Sequence, residues 1–560
     1  MEIQTKNKFD FDYFRKNFEA LLERFHLTEN LDFQNELLNE INSLRFAFEA
    51  EKNRLTLRHV QNYHDSEAEK EYNSLISQEA KYQHLVKRYY ELLLLSPHKK
   101  ELEKRWGRQL FRIAELKVQS YSDEILEEIK LENRLMGEYG KLLGTGKVVF
   151  QGEEMGLSFL AQYMMSADRE IRKAAYEARA RYFAENEERF DEILDELIKV
   201  RTRIACKLGR SNFIELGYER MNRTDISPRD MESYRIQVKR DGVPFVSSLR
   251  KIQKDNLRVN TLKYFDDKMT FLDGPPPLRI NRGDFLDKMK VLFAGLSTET
   301  EMFYDSLIKK GNHDLLPRTG KRGGGYATYL GEGKEPFIFA NISGVSNDVR
   351  LFTHEAGHAF QFFMSSEMNC PEYMIPVDSA EIFSFAMERF AWPWMKEFFG
   401  EDANKYKFTH LIEAFMYMPF ASAIDEFEHF LYENPDAGIN ERKQKWRELE
   451  GIYQPELDYD GNKYLEAGGG FHGIAHLYFS PFYFIDYDIA HILAVQLWEK
   501  SLRDHESAWK TYLEMCKAGG SRSLKEHIEA AGLKSPFEED SLSEVLIRVR
   551  GWMEEALSRY

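Results

Sequence analysis

The sequence predicts a mainly α-helical protein with a small β-hairpin, and three observations predict it. From Phe11 to about residue 200, apolar and charged residues recur at helical spacing, as in DEILEEIKLENRLMGEYGKLL. Two short β-rich runs, Tyr326–Leu330 and Pro336–Ile342, flank a turn of glycine, glutamate and lysine, which is a hairpin signal. Helical spacing then resumes and dominates to the C-terminus.

The N-terminal helical run is interrupted at Ser96-Pro97 and at Gly144-Thr145-Gly146, and Lys147–Phe150 reads as a short strand. Proline has no N–H to give and clashes with the preceding turn, so Leu272-Asp273-Gly274-Pro275-Pro276-Pro277 is a loop or a connection between lobes. Gly320–Gly325 is a second non-helical stretch, leading into the hairpin. At 560 residues the chain is long enough for more than one lobe. We divide it into an N-terminal helical lobe, residues 1–200, and a second region, residues 201–560, that carries the motifs below.

Hydrophobic residues make up 43% and charged residues 30%, the balance of a folded globular protein. The net charge of −16 argues against a nucleic-acid partner, since phosphate binding requires a basic surface. Cys206, Cys370 and Cys516 are far apart and form no CxxC pair, so they suggest neither a disulfide framework nor a cysteine metal site. The first twenty residues are charged throughout and lack the apolar core of a signal peptide, and no run reaches the roughly 18 apolar residues of a membrane span. The expected setting is the cytoplasm, with no membrane partner.

The principal motif is His354-Glu355-Ala356-Gly357-His358, preceded by the capping residues Ser346, Asn347 and Asp348. Two histidines four apart lie one turn apart on the same helix face, so both imidazoles can reach one ion. Glu355 sits about 100° around the helix, where it can contact a metal-bound water without ligating. HExxH also occurs by chance in ordinary helices, but the wheel argues against that here. Val349, Phe352, Ala356, Phe360 and Phe363 form one apolar stripe, while Leu351 and Phe362 flank the histidines on the other side. A helix apolar on both sides is buried, and a metal satisfies two buried histidines at once. Gly357 costs about 1 kcal/mol relative to alanine in mid-helix, which a close backbone approach would explain.

A catalytic zinc site takes three protein ligands and keeps one position open. Asp378, Glu381 and Glu388 are the downstream candidates for the third. Glu381 and Glu388, seven apart, share a helix face; position favours Glu381, and Glu388 could instead orient a ligand histidine.

A second unusual stretch runs from Gly468-Gly469-Gly470 through His472, His476 and Tyr478 to Tyr483 and Tyr487. Three consecutive glycines argue for a mobile or closely approached loop. Phenol and imidazole donors are the groups that stabilise a tetrahedral oxyanion beside a metal. Aromatic core packing is the alternative for any one tyrosine, and it is our reading of Phe482 and Phe484.

With these residues in view, the chain resembles the thimet oligopeptidase family, in its oligoendopeptidase F branch, which includes the PZ-peptidases. The resemblance rests on GGGYATYL, PFIFANISGVSNDVRLFTHEAGHAFQ, DSAEIFSFAME and HLYFSPFYFIDY, and on ADREIRKAAYEARARYF and LGYERMNRTDISP upstream. It implies a two-lobed helical peptidase enclosing a deep channel, with one zinc per chain held by His354, His358 and Glu381. It further implies Glu355 as general base, His476 with Tyr483 and Tyr487 as transition-state donors, and internal cleavage of short unstructured peptides. Ala340, on the strand before the motif, is the expected main-chain contact for a peptide; Tyr478 and Gly469 are expected to line the substrate site. Many relatives carry a third histidine where this chain has Gln361, which is not a family ligand.

Overall fold

The structure, a computed structural model, describes residues 9–331 and 333–557, with the side chains of 555–557 undescribed. It is mainly helical, with two small sheets. β1 (Lys147–Phe150) pairs antiparallel with β2 (Glu153–Gly156). β3 (His313–Asp314), β4 (Tyr326–Leu330) and β5 (Glu335–Phe339) form the second sheet in the order β3-β5-β4. No helix among the described residues is long and apolar enough to cross a membrane.

The chain separates into two compact units, each assembled from three stretches of sequence. The first comprises the described residues of Met1–Tyr121, Leu278–Phe398 and Ala494–Leu533; the second comprises those of Ser122–Pro277, Phe399–Leu493 and Lys534–Tyr560. The sequence division at residue 200 falls inside a continuous helix, Glu187–Lys207. The proline-rich loop ends where the chain leaves the second unit for the first, at Pro277 and Leu278.

In the first unit, helices Phe11–Leu27, Leu31–Gln61 and Ser66–Leu95 open the fold. Asp10, Asn30 and Asp65 stand at their N-caps, and each side chain accepts from backbone N–H groups of the first turn. Their apolar faces meet around Phe14, Phe18, Phe48 and Tyr82, with the Phe48 and Tyr82 rings stacked 3.8 Å apart. Arg45, buried among these helices, reaches Glu372 at 2.6 Å, and Tyr90 donates to the same carboxylate. This pins the loop after the motif helix to the N-terminal helices. A buried pair adds little over an apolar substitute, but breaking it costs about 3–5 kcal/mol.

The hairpin falls where expected, with register Tyr326 to Phe339 and Leu330 to Glu335; the turn residue Glu332 lies outside the described residues. β3 was not legible in the sequence, because two residues carry no periodicity. Its parallel pairing with β5 makes β5 the central strand.

The second unit holds β1, β2 and long helices, including Glu187–Lys207 and Ala403–Glu433. Buried arginines tie its segments together: Arg201 pairs with Glu132, and Arg172 with Asp266.

Candidate metal centre

Helix Asn347–Met364 carries the motif. Its N-terminus is held differently from the expectation: the Ser346 side chain makes no cap bond, and Asp348 accepts from the N–H groups of Ser343, Gly344 and Val345 instead. The apolar stripe is core, with Val349, Phe352, Ala356 and Phe360 fully buried. The next helix, Ala380–Phe390, crosses it at Gly357, where a Cβ would lie 2.5 Å from the Phe383 carbonyl oxygen. Glycine is there for that approach, and the approach delivers Glu381 to the histidines.

His354, His358 and Glu381 each offer a ligand atom, and these atoms lie within 4.8 Å of one another. The Glu381 Oε2 is 3.3 Å from His354 Nε2 and 3.5 Å from His358 Nε2. Glu388, one helix repeat further on, accepts from His354 Nδ1 at 2.6 Å. That bond fixes the ring and turns Nε2 towards Glu381. Asp378 is not part of the cluster, and Gln361 is turned away to donate to Ser365 Oγ.

The electrostatics of the cluster suit a cation. Three buried carboxylates, Glu355, Glu381 and Glu388, converge on two imidazoles. Burial drives the His354 imidazole down, but Glu381 and Glu388 outweigh it and hold it well above its ordinary range. Burial raises Glu381, yet His358 and His354 outweigh that and hold it well below the usual carboxylate range. The Glu355 carboxyl, 5% exposed, is raised by burial despite both histidines. Two nitrogens and one carboxylate oxygen around one point, with one ring braced by a further carboxylate, fit the donor set of a catalytic zinc.

Gly325 is a site residue that sequence reasoning did not single out. A Cβ there would stand 2.9 Å from Glu355 Oε1 and 3.2 Å from the Phe339 carbonyl oxygen. Asn341 donates to the carbonyls of Arg322 and Gly324 and so secures the glycine segment beside the carboxylate. The three glycines before β4 were the available signal.

Three residues expected at the substrate site are engaged internally. Ala340 is fully buried; its N–H donates to Asp314 and its carbonyl accepts from Lys321 Nζ at 2.6 Å, so both main-chain groups are committed internally. β5 pairs with β4 along its length and with β3 at Ile338 and Phe339. Tyr478 is fully buried and stacked on Tyr139 at 3.7 Å, a core position. Gly469 is buried, and a Cβ on it would meet the Tyr464 ring at 2.2 Å. The glycine run serves internal packing: Gly468, at φ +93°, lies against the Lys443 carbonyl.

The second unit brings His476, Tyr483 and Tyr487 together, with ring centroids 5.2–6.1 Å apart. Burial lowers the His476 imidazole, keeping it a neutral N–H donor at neutral pH. His472, by contrast, is fully enclosed between Asp191 and Tyr464 and is structural.

Comparison with known proteins gives concordant matches. Residues 297–546 match the model of Peptidase family M3, and residues 4–121 match the Peptidase M3 N-terminal domain. A solved structure of PZ peptidase A with an inhibitor is 42% identical, with a TM-score of 0.93 over 99% of each chain. Oligopeptidase PepF of Bacillus subtilis is 22% identical over 489 residues, 78% of this chain and 70% of its own. The oligoendopeptidase F homologue of Borreliella burgdorferi is 24% identical over 316 residues, 53% of this chain; the match spans about half, 51%, of that relative's length.

Proposed function

This chain belongs to peptidase family M3, in its oligoendopeptidase F and PZ-peptidase branch, and from that membership we propose that it is a zinc-dependent oligoendopeptidase cleaving internal bonds of short unstructured peptides. The observation that carries the reading is the convergence of His354, His358 and Glu381 beside the buried carboxyl of Glu355.

Zinc held by His354, His358 and Glu381 would supply the Lewis acid that activates water and polarises the scissile carbonyl. Glu355 takes the proton from the attacking water and passes it to the leaving amine. Its raised proton affinity suits a group that must accept and then release a proton. Glu388 holds the His354 ring in its ligating orientation through Nδ1. His476, Tyr483 and Tyr487 are assigned as hydrogen-bond donors to the oxyanion, and a neutral imidazole with two phenols provides that set. The restriction to short unstructured peptides belongs to the same reading and rests on the family membership. A cytoplasmic setting belongs to the same reading, supported by three cysteines that remain unpaired.

Digestion of a peptide library, read by mass spectrometry with and without chelator, tests this. Internal cleavages that persist in C-terminally amidated peptides and stop with chelator are expected, with stably folded proteins left intact. Release of C-terminal fragments only, abolished by the amide, would make it an exopeptidase. Cleavage that ignores chelator would remove the metal from the mechanism.

A further inference from the structure

The chain between His476 and Tyr487 makes a tight turn whose geometry its own sequence disfavours. Helix Ala475–Phe479 carries His476, and helix Phe484–Arg503 carries Tyr487. Between them the Tyr483 N–H donates to the Ser480 carbonyl at 3.2 Å, closing the turn Ser480-Pro481-Phe482-Tyr483. Proline in second place suits such a turn, but its third residue has φ of +69°, where glycine is normally required. Here that residue is a phenylalanine.

Both main-chain groups of Phe482 are gripped by buried ionisable side chains from distant sequence. Its N–H donates to Glu428 Oε2 at 2.9 Å, and its carbonyl accepts from Arg223 Nη2 at 2.5 Å. The same Arg223 nitrogen reaches Asp486 Oδ1 at 2.6 Å, on the first turn of the helix that bears Tyr487. Arg223 also lies over the Tyr218 ring, 4.4 Å from its centre. The Phe482 ring is fully buried, in space that exists because residue 217 is glycine: a Cβ there would stand 2.5 Å from the ring. A strained residue persists only where its surroundings over-determine it, and such residues cluster at functional sites.

We propose that Glu428 and Arg223 are positioning residues: they clamp Phe482 in its left-handed conformation and thereby set the aim of Tyr483 and of the helix start bearing Tyr487 relative to His476. In this role each acts through the backbone of Phe482. This rests on the reading of His476 and the tyrosines as oxyanion donors. Burial raises the Glu428 carboxyl well above its usual range, so a neutral glutamine can take its place as acceptor.

The test uses the full-length zinc-loaded protein and a C-terminally amidated, internally quenched peptide. Glu428→Met removes the acceptor at similar volume, and Glu428→Gln keeps it. Glu428→Met should lower kcat by about 10²-fold, the scale of a 1 Å misplacement, with KM and zinc content near wild type. Glu428→Gln should restore most of that loss. Hydrogen–deuterium exchange over residues 480–487 should be faster in Glu428→Met and near wild type in Glu428→Gln. Arg223→Lys, which keeps a cation beside Asp486 but shortens the reach to Phe482, should also lower kcat more than it raises KM; it serves as well if Glu428→Met fails to fold.

A folded, zinc-loaded Glu428→Met with wild-type kcat or unchanged exchange would overturn the clamp. So would equal losses in Glu428→Gln and Glu428→Met. Tyr483→Phe and His476→Ala are run alongside. If they lose turnover while the clamp variants keep it, the clamp alone fails; if they keep turnover, the donor assignment fails and the clamp falls with it.

Discussion

Gly357 on the motif helix meets Ser384 on the following helix so closely that a Cβ would stand 2.6 Å from the Ser384 Cα. Alanine normally gains about 1 kcal/mol over glycine inside a helix. Here the sign should reverse, because overpacking costs about 1–3 kcal/mol and the obstacle is backbone. Gly357→Ala should lower Tm. It should also weaken zinc binding, since Glu381 and Glu388 ride on the displaced helix. A raised Tm with unchanged zinc affinity would contradict this.

Glu388 should prove a determinant of metal affinity through its bond to His354 Nδ1. Loss of such a partner typically costs about 10–100-fold in affinity. Zinc competition against a calibrated chelator should therefore rank wild type above Glu388→Gln, and Glu388→Gln above Glu388→Ala. Equal affinity in all three would leave Glu388 as a packing residue.

Tyr483→Phe and Tyr487→Phe should separate the two phenols. Removing an oxyanion donor typically costs about 10²–10³ in turnover, and zinc content should not change. The variant with the larger loss of kcat identifies the principal donor. Two variants with wild-type turnover would make both tyrosines core packing.

Asp488 supplies a pH signature of stability. Its carboxyl is fully buried, receives the Tyr234 hydroxyl at 2.8 Å, and is pushed up to about 7 by burial. The unfolded value is about 3.9, so between about pH 4 and pH 7 the folded state holds the extra proton. The group's contribution to stability is therefore full below the unfolded pKa and is lost as pH rises through about 7. Over some three units this amounts to an order of about 4 kcal/mol. Asp488→Asn cannot ionise and keeps an acceptor for Tyr234. Between pH 5 and 8 its Tm should fall less than that of wild type; parallel curves would contradict the assignment.

The parts that sequence made legible are those whose cause is local. The HExxH spacing places two imidazoles on one face, Gly357 signals a close approach, and two β-rich runs around a turn of glycine, glutamate and lysine mark β4 and β5. Contacts between distant segments were not legible. Ala340 lies on the expected strand, but β3 and Lys321 take its groups from outside the hairpin. Tyr478 stacks on Tyr139, far away in the chain, which no spacing within the motif reveals. Glu428 and Arg223 reach Phe482 across 54 and 259 residues of sequence. The interleaving of the two units has the same origin, since each is closed by segments far apart in the chain.

The most direct test of the central claim is Glu355→Gln, with zinc per chain and peptide turnover measured on the same preparation. A base that is not a ligand leaves metal binding intact when it is removed. The expected result is about one zinc per chain with turnover almost abolished, while His354→Ala and Glu381→Ala lose the metal. Glu355→Gln protein that keeps its zinc and cleaves peptides at the wild-type rate would contradict the assignment of Glu355 as the base.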